Sequence, residues 1–155
     1  MTEWQSFLLG IVQGLTEFLP VSSSGHLALL QQAFGWKDPV LAFDLLLHLA
    51  TLGAVFLFFR KDILSLGAGW FRGFRGGEFR QDPGWIYGWA LLAGTLCTLC
   101  IALPLKDFVE SAFTSPSLVG GALTITGLLL LLSRFFPERK EPLSLFRGCA
   151  VGVFQ

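Results

Sequence analysis

Six polar side chains that could act on a phosphate group lie close together near the start of the chain. They are the amide of Gln13, the carboxyl of Glu17, the hydroxyls of residues 22–24 and the imidazole of His26. Serines at a helix start accept hydrogen bonds from its free N–H groups, and the same N–H groups attract anions. Together these groups provide what phosphoryl transfer or phosphate hydrolysis requires.

The pattern around these residues predicts two short helices joined by a polar turn. An apolar helix runs from about Trp4 to Leu19 and ends at Pro20, and a second runs from Gly25 to about Phe34. Both are shorter than the roughly 20 residues that span a bilayer. We therefore expect residues 4–34 to form a re-entrant hairpin whose broken backbone lines a cavity.

The rest of the chain is typical of a membrane protein. Of its 155 residues 53% are hydrophobic and only 14% are charged, against about 25% charged in soluble domains. The net charge of +0 excludes the basic surface that nucleic acid requires. Full-length transmembrane helices are predicted at 40–59, 85–103 and 118–133, and another apolar element at 145–155. We expect one polytopic, all-α membrane domain over residues 1–155.

Ionisable groups inside such a domain indicate function. Each costs roughly 2.5–3.5 kcal/mol at bilayer depth. Less specific interpretations stay open: Ser22 and Ser24 as simple caps, His26 as a packed residue, Glu17 as a neutral structural carboxyl. Asp44 and His48, four residues apart on one helix face, are either partners that support the site or a polar contact between helices.

Basic residues near the spans predict the orientation of the chain. They concentrate at 60–82 and 134–147, which we expect in the cytoplasm. Lys37 and Lys106 are expected on the other side. Residues 63–74 suggest an interfacial helix within the first basic loop, and 104–116 are expected to be a connection.

A short internal similarity suggests a repeat. Gly10–Gln13, G-I-V-Q, is similar to Gly152–Gln155, G-V-F-Q. Inverted repeats with broken helices that meet near the membrane midplane are a common transporter architecture. The chain would then contain the first of two inverted repeats and the start of the second.

The polar motif resembles a known family. Residues 10–27, G-I-V-Q-G-L-T-E-F-L-P-V-S-S-S-G-H-L, are similar to the first signature of bacterial undecaprenyl-diphosphate phosphatases, the bacitracin-resistance family. Residues 43–49, F-D-L-L-L-H-L, 51–55, T-L-G-A-V, and 121–132, G-A-L-T-I-T-G-L-L-L-L-L, resemble its later helices. The resemblance implies a plasma-membrane enzyme that converts undecaprenyl diphosphate into the monophosphate carrier for peptidoglycan synthesis, with Mg²⁺ or Ca²⁺.

The resemblance also implies roles for the six side chains. Glu17 binds the metal, with Gln13, or acts as a base. Ser23 and His26 are the nucleophile or an acid/base pair, in an order that stays open. Ser22 and Ser24 orient phosphate. The family's second signature, P-G-x-S-R-S, is not found up to Gln155, so we expect the N-terminal portion of such an enzyme, completed by further chain or by a homodimer.

Three alternatives to this function stay open. A polyprenyl-lipid transporter or flippase would use the same repeated, broken helices. The acid-phosphatase-like lipid phosphatases have a Pro-Ser-Gly-His run that resembles Ser23–His26, but their other motifs are missing here. An inactive N-terminal fragment would insert into the membrane without catalysis.

Overall fold

The computed structural model describes residues 2–36, 40–135 and 144–154, and within these ranges it contains helices and no strands. The described ranges contain seven α-helices: α1 Glu3–Thr16, α2 Ser23–Ala33, α3 Leu41–Phe58, α4 Arg60–Gly73, α5 Pro83–Phe113, α6 Pro116–Ser133 and α7 Leu145–Phe154. A 3₁₀ helix at Gly77–Gln81 lies between α4 and α5.

Three helices, α3, α5 and α6, are long and apolar enough to cross a membrane. The 18 residues of α3 and of α6 extend about 27 Å, close to the thickness of a hydrocarbon core. Large apolar side chains cover their outer surfaces; Phe58, for example, is 80% exposed. Such a surface is stable in lipid, and the chain is an all-α, multi-pass membrane protein.

The predicted spans agree with the helices except at α5. The bounds of α3 and α6 lie within two residues of the predicted 40–59 and 118–133. In contrast, α5 continues through Pro104 to Phe113, so most of the connection expected at 104–116 is helical. Proline removes one backbone hydrogen bond, and membrane helices tolerate it where neighbouring groups and local backbone adjustments satisfy the freed carbonyl.

The two short helices at the start differ slightly from the prediction. Thr2 caps α1 in a reciprocal pair with Gln5. The helix ends at Thr16, before a turn that contains Pro20, and α2 begins two residues earlier than expected, at Ser23. With 14 and 11 residues, α1 and α2 extend about 21 and 17 Å, too short to span a bilayer.

The chain divides into two compact units, and the first comprises residues 1–54 and 107–138. In it α2 packs against both α1 and α6. The buried apolar side chains of this unit are few and come from these three helices: Leu9, Leu27, Ala28 and Val119. Its interior also contains the polar side chains of Gln13, Ser23 and Gln31.

The second unit comprises residues 55–106 and 139–155, and glycines bring its helices together. A Cβ atom on Gly148 would overlap the carbonyl of Ala90, and one on Gly152 would overlap the carbonyl of Gly94. Thr98 adds a hydrogen bond from Oγ1 to the carbonyl of Gly152, 2.7 Å long. This is the close, small-residue packing of membrane helices.

Some expectations fall outside the described residues. These are the position of Lys37, the basic residues Arg139 and Lys140, and Gln155, the last member of the internal similarity. The loop expected at 60–82 contains α4, which covers most of the interfacial helix predicted at 63–74.

Candidate active site

Three elements of the first unit meet at one carboxylate oxygen, Oε2 of Glu17. Glu17 directly follows α1 as its C-cap residue. Its Oε2 accepts a hydrogen bond from Nε2 of Gln13 at 3.0 Å and another from Oγ of Ser23, the first residue of α2, at 2.5 Å. Nε2 of His48, on α3, lies 3.7 Å from the same oxygen.

The contact between Ser23 and Glu17 is short. Hydroxyls that donate to an ionised carboxylate form bonds of this length, which are stronger than neutral hydrogen bonds. Ser23 is only 8% exposed, while the side chain of Glu17 is 34% exposed. A nucleophile that already points its proton at a base is the arrangement found in enzymes that use a serine.

Gln13 supplies a second unusual feature. Gln13 is 1% exposed, and its Nε2 also approaches Oγ1 of Thr51 on α3, at 3.5 Å. Its Oε1 is buried and accepts no hydrogen bond among the described residues. Because a buried polar atom without a partner is costly, this oxygen marks a position where a cation or a donor group would be stabilised.

The start of α2 has a rare backbone conformation. Ser22, its N-cap residue, has φ 62° and ψ 88°, and no other non-glycine residue in the described ranges has a positive φ. Its Oγ accepts a hydrogen bond from the N–H of Gly25 at 3.4 Å. Strain of this kind concentrates at functional sites. Space at Gly25 is limited, because a Cβ there would lie 3.0 Å from the side chain of Leu123.

His26 is not brought to Glu17 or Ser23. It lies in the first turn of α2, and its Nδ1 is 2.8 Å from the carbonyl of Ser22. Neither a hydrogen bond nor an ion pair joins it to Glu17 or Ser23 in the described part of the chain. The histidine that faces Glu17 is His48, which the sequence assigned only to a supporting role.

Asp44 and His48 belong to one network that links α2 to α3. The Nδ1 atom of His48 lies 2.8 Å from the carbonyl of Asp44. The carboxylate of Asp44 accepts a 2.6 Å hydrogen bond from Nε2 of Gln31, whose Oε1 accepts from the N–H of Val40. Gln31 is 1% exposed, and both ends of its amide have partners.

The sequence interpretation missed two neighbouring glutamines on α2. Gln31 joins α2 to the start of α3, as above. Gln32 donates from Nε2 to the carbonyl of Phe113, at 2.9 Å, and so provides a hydrogen-bond partner for the last carbonyl of α5. Two adjacent amides after the apolar run Leu27–Leu30 were the available signal, because such groups need buried partners.

A cavity of about 350 Å³ lies beside the network. Ser24, Asp44, His48 and Glu110 form its polar lining, and Leu27, Ala28, Leu41 and Phe113 form its apolar wall. Ser24, which was predicted to bind substrate, therefore lines a cavity rather than joining the cluster at Glu17. Acidic side chains repel a bare diphosphate, and a divalent cation would offset that repulsion.

The donor atoms suit a hard divalent cation. Mg²⁺ and Ca²⁺ prefer oxygen ligands, and Mg²⁺ often binds through one or two carboxylates together with substrate phosphates. Glu17 and the unpartnered Oε1 of Gln13 are such donors. The described residues contain no group of three or more His, Cys, Asp or Glu side chains placed to hold a metal, so water and phosphate oxygens would complete its coordination.

Comparisons with known proteins show the family to which the chain belongs. The family model of bacitracin resistance protein BacA matches residues 6–155. An undecaprenyl-diphosphatase of Myxococcus xanthus is 38% identical over the whole chain, which covers 53% of that relative. Undecaprenyl-diphosphatases of Saccharophagus degradans and Carboxydothermus hydrogenoformans are 43% and 44% identical, over 95% and 86% of the chain and 56% and 46% of their own lengths.

The chain therefore spans about half the length of the curated relatives it matches. No solved structure matches it at a significant level. A family model that covers nearly every residue, with the polar motif inside the match, establishes the relationship. The chain belongs to the family of bacitracin resistance protein BacA.

Proposed function

We propose that the protein that contains this chain hydrolyses undecaprenyl diphosphate to undecaprenyl phosphate and inorganic phosphate. The observation that carries the proposal is the 2.5 Å hydrogen bond from Ser23 to Glu17. It lies at the N-terminus of α2, where free N–H groups favour an anion. The relatives that share this part of the chain have the name undecaprenyl-diphosphatase. Lipid carrier recycling and bacitracin resistance follow from that reaction.

The proposed reaction proceeds by transfer of the terminal phosphoryl group to Ser23. Oγ forms a bond to the terminal phosphorus, its proton passes to Oε2 of Glu17, and the bond from that phosphorus to the bridging oxygen breaks. Undecaprenyl phosphate leaves. Water then attacks the phosphoserine, releases phosphate and restores the serine, with Glu17 moving the proton in each step.

The other polar groups of the motif bind phosphate in this proposal. Ser22 and Ser24, with the free N–H groups at the start of α2, orient the anion, and His26 contacts it from the first turn of the helix. Mg²⁺ or Ca²⁺, held by Glu17 and Gln13 with phosphate oxygens, would reduce the negative charge of the diphosphate. The apolar surfaces of the spans would accommodate the isoprenoid chain.

We infer a location in the bacterial plasma membrane, with the basic segments 60–82 and 134–147 on the cytoplasmic side. The excess of Arg and Lys in these segments supports this orientation. Single cysteines introduced at Arg75 and at Ser115 test it in intact cells with a membrane-impermeant thiol reagent. Labelling at position 115 and not at 75 is expected, and the opposite pattern would contradict the orientation.

The direct test measures phosphate release from undecaprenyl diphosphate by the purified full-length protein, with Mg²⁺, with Ca²⁺ and with a chelator. We expect cation-dependent release that falls about 10²- to 10⁴-fold in Glu17→Gln. Substrate labelled in the terminal phosphate should transiently label Ser23. Movement of lipid across vesicles without phosphate release would indicate transport instead, and release without labelling would mean that water attacks directly.

A further inference from the structure

Two side chains of α3 face the two site residues at the C-terminal end of α1, Gln13 and Glu17. His48 lies opposite Glu17, with 3.7 Å between Nε2 and Oε2, and Thr51 lies opposite Gln13, with 3.5 Å between Oγ1 and Nε2. Residues 48 and 51 are about one helical turn apart, as are 13 and 17, so each pair shares a face of its helix. One face of α3 therefore supports the site.

The orientation of the His48 ring is fixed by its other nitrogen. Nδ1 lies 2.8 Å from the carbonyl of Asp44. A carbonyl only accepts hydrogen bonds, so Nδ1 carries a hydrogen and Nε2 is the nitrogen presented to Glu17; Nε2 donates toward the carboxylate in the imidazolium form, in which both nitrogens carry hydrogens. This is how histidines that work through one nitrogen are commonly held by the other.

The start of α3 is in turn fixed to α2. Gln31, buried in the first unit, donates to the carboxylate of Asp44 at 2.6 Å and accepts from the N–H of Val40 at 3.1 Å. The amide therefore fixes the first turn of α3 against the helix that begins with Ser23. The serine and the histidine are held by the same pair of helices, so their positions relative to Glu17 are coupled.

Thr51 completes the support. Its single hydroxyl hydrogen points to backbone carbonyls of α3, the nearer being that of His48 at 2.9 Å. Its oxygen is then free to accept from Gln13, whose other contact is the hydrogen bond to Glu17. Gln13 on α1 and His48 on α3, which both approach Oε2, thus restrict the orientation of the Glu17 carboxylate.

We propose that His48 is the positioning residue of the site, which holds the carboxylate of Glu17 toward Ser23. This inference rests on the function proposed above and adds a residue to it. His48 acts through Glu17, so it should matter for turnover more than for substrate binding. A side chain of similar size that can donate toward Glu17 should replace it, whereas an apolar one of similar size should not.

The experiment compares His48→Gln, His48→Leu, Glu17→Gln and the double variant Glu17→Gln/His48→Leu in the full-length protein that contains this chain. Glutamine and leucine keep the volume beside the cavity that His48 lines, but only glutamine donates a hydrogen bond. Thr124→Val on α6 is the control for altering a polar side chain in a membrane helix, since Thr124 bonds only to the carbonyl of Gly120.

We expect His48→Leu to lower kcat about 10- to 100-fold, with KM changed less than about twofold and the melting temperature close to that of the wild type. His48→Gln should recover most of kcat. Adding His48→Leu to Glu17→Gln should cost little further, because residues that act as a unit are not additive.

Three results would overturn the positioning role while leaving the phosphatase function intact: full activity of His48→Leu, equal losses in the leucine and glutamine variants with a lowered melting temperature, or losses that multiply in the double variant. A wild-type protein that releases no phosphate would overturn the proposed function, and the positioning role with it.

Discussion

Ser23 and Glu17 are joined by a 2.5 Å hydrogen bond across the turn between α1 and α2. The turn contains Pro20 and ends at a serine with positive φ, so the backbone reverses abruptly and returns the first residue of α2 to Glu17, the C-cap residue of α1. A carboxylate and a hydroxyl six residues apart are thereby brought within hydrogen-bond distance.

The hydroxyl of Ser23 should be indispensable. We expect Ser23→Ala to lower phosphate release at least about a thousandfold, because a missing nucleophile removes the covalent route. The matched control is Ser65→Ala, since Ser65 is exposed and bonds only to the carbonyl of Asp62. Insertion and melting temperature should be unchanged in both variants. An active Ser23→Ala protein would eliminate the serine mechanism.

The buried oxygen of Gln13 should govern the cation requirement. Gln13→Leu removes Oε1, which has no partner in the described residues, and the amide that donates to Glu17. We expect the Mg²⁺ concentration for half-maximal activity to rise about 10- to 100-fold. Gln81→Leu, at an exposed residue of the 3₁₀ helix, is the control. An unchanged Mg²⁺ dependence in Gln13→Leu would exclude this oxygen as a ligand.

The backbone at Ser22 should make alanine and glycine behave oppositely. Ser22→Gly relieves a positive φ, which costs about 1–2 kcal/mol in residues other than glycine. Its loss of helix-capping free energy is only a few tenths of a kcal/mol. Ser22→Ala keeps the strain and loses the cap, at about 0.5–2 kcal/mol. Thermal unfolding in detergent should therefore rank glycine as the more stable variant. Equal stabilities would indicate that Ser22 is not strained.

Gly152 should tolerate no side chain. Its Cβ would overlap the carbonyl of Gly94, so we expect Gly152→Ala to lower the free energy of unfolding by about 1–3 kcal/mol through overpacking. Gly127→Ala is the matched control, because no atom lies within 4 Å of a Cβ built there and alanine is the better helix former. Similar melting temperatures for both variants would contradict the close packing of α5 and α7.

Local spacing predicted part of the site and could not predict the rest. The four-residue interval from Gln13 to Glu17 placed both on one helix face, and the structure joins them by a hydrogen bond. The contact of Glu17 with Ser23 follows from the turn geometry, and that of Glu17 with His48 from the approach of α3. Neither is encoded in the spacing of residues along one helix, so the sequence favoured His26 over His48.

The helix bounds could likewise be predicted only in part. The apolar lengths of α3 and α6 were sufficient to predict these helices. The span predicted at 85–103 ended before Pro104, whereas α5 continues to Phe113. Proline removes one helix hydrogen bond, but membrane helices tolerate it where other groups satisfy the freed carbonyl. The roles of Gln31 and Gln32 could be anticipated only from the general need of a buried amide for partners.

The hydrogen bond from Gln32 to the carbonyl of Phe113 also sets an order of assembly during synthesis. Its two partners are 81 residues apart, and a ribosome that adds about 5–20 residues per second needs roughly 4–16 s to make that length. Throughout this interval the N-terminal hairpin lacks the partner that anchors its second helix. The helix that begins with Ser23 therefore reaches its final contacts only after the end of α5 has been made.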